Sequence, residues 1–252
     1  MAMLSIENIF GAARQVVGWG FTAAYIPGIV GICAVTPKER RTIVGPRLTR
    51  GWGQTMATIG GVKINYTPRA RAALDERRPR VLSFNHGSTL DVLTGAALLP
   101  EGGVLVVKSE MRKVPLLGMG CVAIGSVFLD RGDRSRAIAS LEAAAKRIHS
   151  EKLQVLIAPE GTRSVDGSLG RFKLGAFHLA SLAEVPILPV VLHRHAELWP
   201  HGRLAPHRGE AVIDVLEPFK VKGLSGDELR SAADDLRERY ELALAAGPVF
   251  TP

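Results

Sequence analysis

Cysteine is scarce in this 252-residue chain: Cys33 and Cys121 are the only two, far apart and outside any C-x-x-C pair. That argues against a disulfide framework or a structural zinc site and suits a reducing, cytosol-facing location. Internal repeats and low-complexity tracts are absent, and no Pro/Gly-rich linker divides the chain beyond residue 50. Acidic residues are outnumbered, 24 Asp and Glu against 32 Lys and Arg, for a formal net charge of +8. Such a balance suggests an anionic partner, whether nucleic acid, an anionic bilayer or a phosphorylated substrate, and charge alone does not choose among them. With 46% hydrophobic and 22% charged residues the chain is neither disordered nor a polytopic membrane protein.

Charge is missing altogether from Gln15 to Pro37. The run is long enough to cross a bilayer, which needs roughly 20 apolar residues. Pro27 and four glycines loosen it, and Trp19 and Tyr25 suit an interface. A clean span and a broken helix dipping into one leaflet are equal readings, and a buried helical hairpin packed on the domain is the alternative. A cleaved signal peptide is disfavoured, because no clear small-x-small exit site follows. Lys38, Arg40, Arg41, Arg47 and Arg50 come next against a single acid, Glu39. This flank suits the cytosolic side of an anionic membrane, with a solvated basic loop as the plain alternative. The expected organisation is an N-terminal membrane-associated helical segment with its basic flank, residues 1–50, followed by one domain, residues 51–252.

Within that domain short β-rich runs alternate with helical patterns. Strands are expected at Val62–Tyr66, Val81–Phe84, Val104–Val107, Ser126–Leu129, Gln154–Ala158, Ile187–Leu192 and Ala211–Leu216. Helices are expected around Thr89–Leu99, after the N-cap candidate Asp133 (Ile138, Leu141, Ala145, Ile148), around Leu174–Ala183, and after the Ser225/Glu228 capping box. The alternation predicts an α/β fold with a mixed, largely parallel sheet flanked by helices. Ligands collect beyond the carboxyl ends of such strands. If the strands run parallel, His86, Lys108, Asp130-Arg131 and the Pro159–Arg163 turn share one rim.

The stretch NHGSTLD, Asn85 to Asp91, carries the strongest chemical signal. Histidine suits proton transfer near neutrality. Asp91, in the first turn of the following helix, could hold one imidazole nitrogen and leave the other free to take a proton from a hydroxyl. The competing reading is that Ser88 and Asp91 form an S-x-x-D capping box and His86 is an ordinary loop residue.

Further along, the sequence resembles the lysophosphatidic acid acyltransferase family, the glycerolipid acyltransferases with an HX4D motif. NHGSTLD is similar to its first block. Lys108-Ser109-Glu110 with Pro115 resembles the segment after it, GSVFLDR (Gly125 to Arg131) the second block, and APEGTRS (Ala158 to Ser164) the third. FKLGAFHLA (Phe172 to Ala180) and VPILPV (Val185 to Val190) resemble the fourth region. Together these cover about Arg80 to Val191, in order. Ala158 stands where an aromatic is usual and Gly87 where larger residues are common, which puts the pocket's shape in doubt rather than the reaction.

The resemblance implies a membrane-bound enzyme that moves an acyl group from acyl-CoA or acyl carrier protein to the sn-2 hydroxyl of lysophosphatidic acid, giving phosphatidic acid, at the cytoplasmic face of the cell membrane. It implies His86 as general base, Asp91 as its orienter, Lys108, Arg131 and Arg163 as phosphate holders, and Glu160, Gly161 and Thr162 as shaping the acceptor site. It implies no cofactor, no metal and no nucleic-acid partner; the partners are the thioester, the lysolipid and the bilayer. For any one cation a surface ion pair is the plain alternative, for Glu160 a turn residue, and for Lys173 a solvated helix-start lysine. The alternatives for the whole chain are another lysolipid acceptor, such as a lyso-aminolipid or lysophosphatidylglycerol, or a catalytically silent basic membrane-binding protein.

Three other patterns compete. Gly118–Ala123 matches G-x-G-x-x-A, but it precedes a strand rather than a helix, so a dinucleotide fingerprint is disfavoured. His193, His195, His201 and His207 read as a solvated loop rather than a metal site. No G-x-S-x-G elbow occurs, which disfavours a serine esterase.

Overall fold

The structure, a computed structural model, describes residues 6–130, 132–162 and 167–250. Among the described residues seven strands form one sheet: β1 (Val62–Tyr66), β2 (Arg80–Phe84), β3 (Gly103–Lys108), β4 (Val127–Leu129), β5 (Gln154–Ile157), β6 (Ile187–His193) and β7 (Gly209–Val215). Their spatial order is β1-β7-β6-β2-β5-β3-β4. Every neighbouring pair is parallel except β6 and β7. The expected mixed, largely parallel sheet is therefore present, and β2, β3, β4 and β5 end at a common edge.

Both faces of the sheet are covered, and the strands show it as period-two alternation. Val81, Val155, Ile157, Ile187 and Val191 enter one core with α6 (Arg134–Ser150), α7 (Gly175–Leu182) and α9 (Gly226–Ala246). Leu82, Phe84, Leu156, Leu188 and Leu192 enter the other, with α1 (Ile6–Val35), α2 (Lys38–Gly60), α3 (Pro68–Asp75) and α4 (Leu90–Ala97). The caps read from the sequence are in place. Asp133 accepts from the Arg136 amide, and Ser225 and Glu228 close both halves of their capping box. On α6, Leu141, Ala145 and Ile148 are buried, whereas Ile138 is exposed and lies off the packed face.

The N-terminal region is a pair of helices. α1 continues unbroken through Pro27, so of the two equal readings the broken helix is not the one found. Its buried positions Gly11, Gly18, Thr22, Ile26, Ile29 and Cys33 recur at helical spacing and face the domain. Trp52 donates its indole N–H to Thr22 at 3.1 Å, and the Tyr25 hydroxyl donates to the Leu48 carbonyl at 3.1 Å. Val16, Val17 and Val35 are exposed on the side turned away from the domain, and Trp19 and Ile32 are exposed at the flanks of the packed stripe. The basic flank is not a loop but the start of α2, which runs through residues 50 and 51 without interruption. α2 crosses α4 at Gly53, where a Cβ would lie 2.5 Å from both the Ala97 amide nitrogen and the Leu93 carbonyl oxygen. Only glycine permits that approach of the two backbones. The G-x-G-x-x-A stretch is itself a short helix, α5 (Leu117–Ala123).

Candidate active site

β2 delivers Asn85 and His86 beyond its last residue, and Asn85 fixes where the chain goes next. Its side-chain amide donates to the Leu192 carbonyl at 3.1 Å and its oxygen accepts from the Leu192 amide at 2.8 Å, tying the end of β2 to β6. The chain then turns into α4. Asp91, almost fully buried, places Oδ2 3.0 Å from His86 Nδ1 and 2.8 Å from the Ser88 amide, which donates to it. One oxygen thus serves both readings of this motif: it closes the start of α4 and it holds the imidazole. Ser88 completes the turn by accepting from the Leu90 amide at 3.1 Å and donating to the Trp199 carbonyl at 2.8 Å.

The Asp91 oxygen at Nδ1 favours the tautomer that donates from Nδ1, which leaves Nε2 as the acceptor. The ring is 20% exposed. A histidine so held can accept a proton from a hydroxyl and shelter the resulting positive charge.

β5 contributes the Pro159–Glu160–Gly161 turn beside it. Glu160, also buried, accepts from the His86 amide through Oε1 at 2.6 Å and from the Gly170 amide through Oε2 at 2.8 Å. Burial pushes its carboxyl above the usual carboxylate range; the two amide bonds oppose that, and the Asp91 charge adds to it. Both oxygens of Glu160 are therefore occupied by backbone. Gly161 turns with φ +74°, and a Cβ there would meet the Lys173 side chain at 3.0 Å. Lys173 donates its backbone amide to the Pro159 carbonyl at 2.7 Å, which ties the turn to the segment before α7, and the residue is exposed, as the plain alternative has it.

A cavity of about 490 Å³ opens beside His86. Its walls are mostly apolar: Ile26 and Ile29 from α1, Trp52 from α2, Val92 and Ala96 from α4, Leu105 and Val107 from β3, Leu117 and Ile124 around α5. Lys108, Ala158, Gly161 and Thr162 also line it. Of the expected site residues, His86, Asp91, Lys108, Gly161 and Thr162 meet at this cavity, and Glu160 lies behind His86. Arg131 and Arg163 lie outside the described residues.

The sequence alone overlooked the partners on the far side of α4. His193 and His195 are buried, not in a solvated loop; His193 ends β6 and His195 opens α8 (His195–Leu198). His195 bonds the Thr94 hydroxyl at 2.9 Å, one helical turn beyond Asp91, and burial drives its pKa down, which keeps it neutral. The signal that could have found it is β6 itself, whose buried apolar run reaches Leu192, immediately before His193. Asn85 and Lys173 were available in the same way, both inside motifs already singled out.

Residues 64–193 match a family model described as Acyltransferase. A putative 1-acyl-sn-glycerol-3-phosphate acyltransferase of Caenorhabditis elegans is 35% identical over 64% of this chain and 57% of its own length. The 1-acyl-sn-glycerol-3-phosphate acyltransferase of Saccharomyces cerevisiae is 32% identical over 65% of this chain and 54% of its own. The chain thus spans little more than half the length of these curated relatives. The crystal structure of the 1-acyl-sn-glycerophosphate (LPA) acyltransferase PlsC from Thermotoga maritima superposes with a TM-score of 0.77 at 23% identity, over 98% of this chain and 100% of that one. That likeness is one of fold.

Proposed function

The chain belongs to the acyltransferase family, and from that premise we propose that it moves a fatty acyl group from acyl-CoA or acyl carrier protein to the sn-2 hydroxyl of lysophosphatidic acid, giving phosphatidic acid. The observation that carries this reading is the 3.0 Å contact between His86 Nδ1 and the buried Asp91 carboxylate at the mouth of an apolar cavity. His86 Nε2 takes the proton of the acceptor hydroxyl as its oxygen attacks the thioester carbonyl. Collapse of the tetrahedral adduct breaks the C–S bond, and the imidazolium returns the proton to the departing thiolate. General-base help of this kind is worth roughly 10²–10⁴ in rate. The cavity suits an acyl chain. Lys108 at its rim, with Arg131 and Arg163 from the adjoining motifs, is the proposed hold on the acceptor phosphate, and Gly161 and Thr162 shape the acceptor site beside it. Glu160 is assigned to the same site, acting through the backbone amides of His86 and Gly170.

Residues 1–50 are proposed as the membrane-associated segment and 51–252 as the acyltransferase domain. α1 is long and apolar enough to cross a membrane, with a mean hydropathy of 1.6 in its most apolar stretch, of which 28% is buried. Its packed inner face and exposed apolar outer face favour a helix lying in one leaflet rather than spanning it. The basic start of α2 would then sit at the cytoplasmic face.

The test is thiol release by the purified full-length protein with a panel of lysolipids. Turnover should be fastest with lysophosphatidic acid, and His86→Ala should abolish it while melting stays normal. Preference for a lyso-aminolipid or lysophosphatidylglycerol would change the acceptor, and an active His86→Ala protein would remove the mechanism.

A further inference from the structure

α5 separates two spaces. Leu117, Gly120 and Cys121 face the cavity beside His86, whereas Gly118, Met119, Val122 and Ala123 face a second groove of about 440 Å³ on the outside. Val30 and Cys33 of α1 form the other apolar side of that groove, and Arg41 and Arg112 stand at it. Met119 and Val122 are each 52% exposed, although they lie on a helix of the catalytic fold.

The two guanidinium groups are held in place. Arg41 donates from Nε to the Thr36 carbonyl at 2.9 Å and from Nη2 to the Ala34 carbonyl at 3.3 Å, closing the end of α1. Arg112 stacks on the Phe128 ring, 3.9 Å from its centroid. Neither has a carboxylate partner among the described residues. Two fixed cations with no carboxylate partner among the described residues, beside an apolar trough, complement an amphiphile with a negatively charged head.

We propose that the groove between α1 and α5 binds one anionic diacyl phospholipid of the leaflet, its phosphate on Arg41 and Arg112 and an acyl chain along Val30, Met119 and Val122. This is a second lipid site, separated from the cavity beside His86 by the thickness of α5, and it rests on the membrane association proposed above. A free coenzyme A fits less well, because its phosphates are flanked by polar groups and not by chains that would cover Met119 and Val122.

The experiment is co-sedimentation of the full-length protein with phosphatidylcholine vesicles, with and without phosphatidylglycerol, at fixed ionic strength. Wild type should bind both and gain affinity with phosphatidylglycerol. Arg112→Gln should lose roughly 10-fold or more of that gain, as expected for a lost charge-assisted hydrogen bond, with binding to phosphatidylcholine alone unchanged. Arg112→Lys should recover only part, because it keeps the charge and loses the fork. Arg41→Gln should behave likewise, but it also removes a cap from α1, so Arg112 carries the test if that protein unfolds. The proposal is overturned if Arg112→Lys matches wild type, since diffuse surface charge would then suffice. It is equally overturned if Arg112→Gln keeps the full gain, or if soluble coenzyme A abolishes it. Failure of wild type to bind either vesicle would overturn the membrane reading and this site together.

Discussion

Replacing Asp91 with asparagine separates the two tasks that its Oδ2 performs. An asparagine oxygen at the Oδ2 position can still accept from the Ser88 amide at 2.8 Å and from His86 Nδ1 at 3.0 Å. The amide nitrogen then takes the place of Oδ1, which is buried and has no hydrogen-bond partner among the described residues. An unsatisfied buried donor costs about 1–3 kcal/mol. For a chain of this size that lowers Tm by roughly 2–12 °C, leaving the protein folded at assay temperature. Turnover should fall much further. A neutral amide cannot stabilise the imidazolium that forms when the acceptor is deprotonated, and the same exchange in hydrolases built on a His–Asp pair costs roughly 10⁴. Asp91→Ala, by contrast, also strips the Ser88 amide of its acceptor and should melt lower than Asp91→Asn. The measurements are thermal melts beside thiol release under saturating thioester. Near-wild-type turnover in a folded Asp91→Asn protein would refute the reasoning, because the carboxylate would then be only a helix-closing group.

Glu160→Gln should lower both activity and stability, the latter by about 1–3 kcal/mol, since an amide can accept from only one of the His86 and Gly170 backbone donors and confronts the other with a donor. Burial raises the Glu160 pKa on folding, so its protonated form favours the fold below the unfolded pKa and that contribution is lost as pH rises through the folded one. The melting difference between wild type and Glu160→Gln should therefore narrow with rising pH, and a widening difference would contradict the burial argument. Gly53→Ala should destabilise by about 1–3 kcal/mol and reduce turnover, because the new Cβ meets α4 backbone and α4 carries Asp91; calorimetry and thiol release check both. Val17→Asp on the exposed face of α1 should weaken flotation with anionic liposomes while leaving the melt unchanged, and unaltered flotation would count against that face entering the leaflet.

What the sequence displayed and what it hid divide along physical lines. The inner strands were legible because most are short runs rich in β-branched and apolar residues, and α6 and α9 because their N-caps are local events within a few residues. α2 was not. Five glycines between Gly45 and Gly61, with Pro46, are poor helix formers, and the helix exists because Gly53 lets it lie against α4. α3 carries a local signal of its own: Thr67 caps it and Pro68 occupies its first turn. In the site, His86 and Asp91 were legible because they are five residues apart. The task of Glu160 was hidden because its partners are backbone amides of His86, 74 residues away, and of Gly170, 10 residues away. Backbone donors leave no residue type to read.

The position of α1 bears on how substrate reaches His86. Ile26 and Ile29 are buried and belong to the wall of the same cavity that His86 lines. Their helix leaves Val16 and Val17 exposed on the side turned away from the domain. A helix lying in a leaflet by that outer face puts the cavity at the depth of the acyl chains, and a chain can then pass from bilayer to cavity without crossing water. Each methylene kept out of water on that path spares about 0.8 kcal/mol, so over a long chain the position of the cavity outweighs any single polar contact at its rim. The wall also explains why deleting residues 1–37 is a poor probe of membrane binding. The deletion removes Thr22 from the Trp52 indole and Ile26 and Ile29 from the cavity, so lost turnover would follow even if the bilayer played no part. Substitutions confined to the outer face leave the wall standing, and only they report on the leaflet.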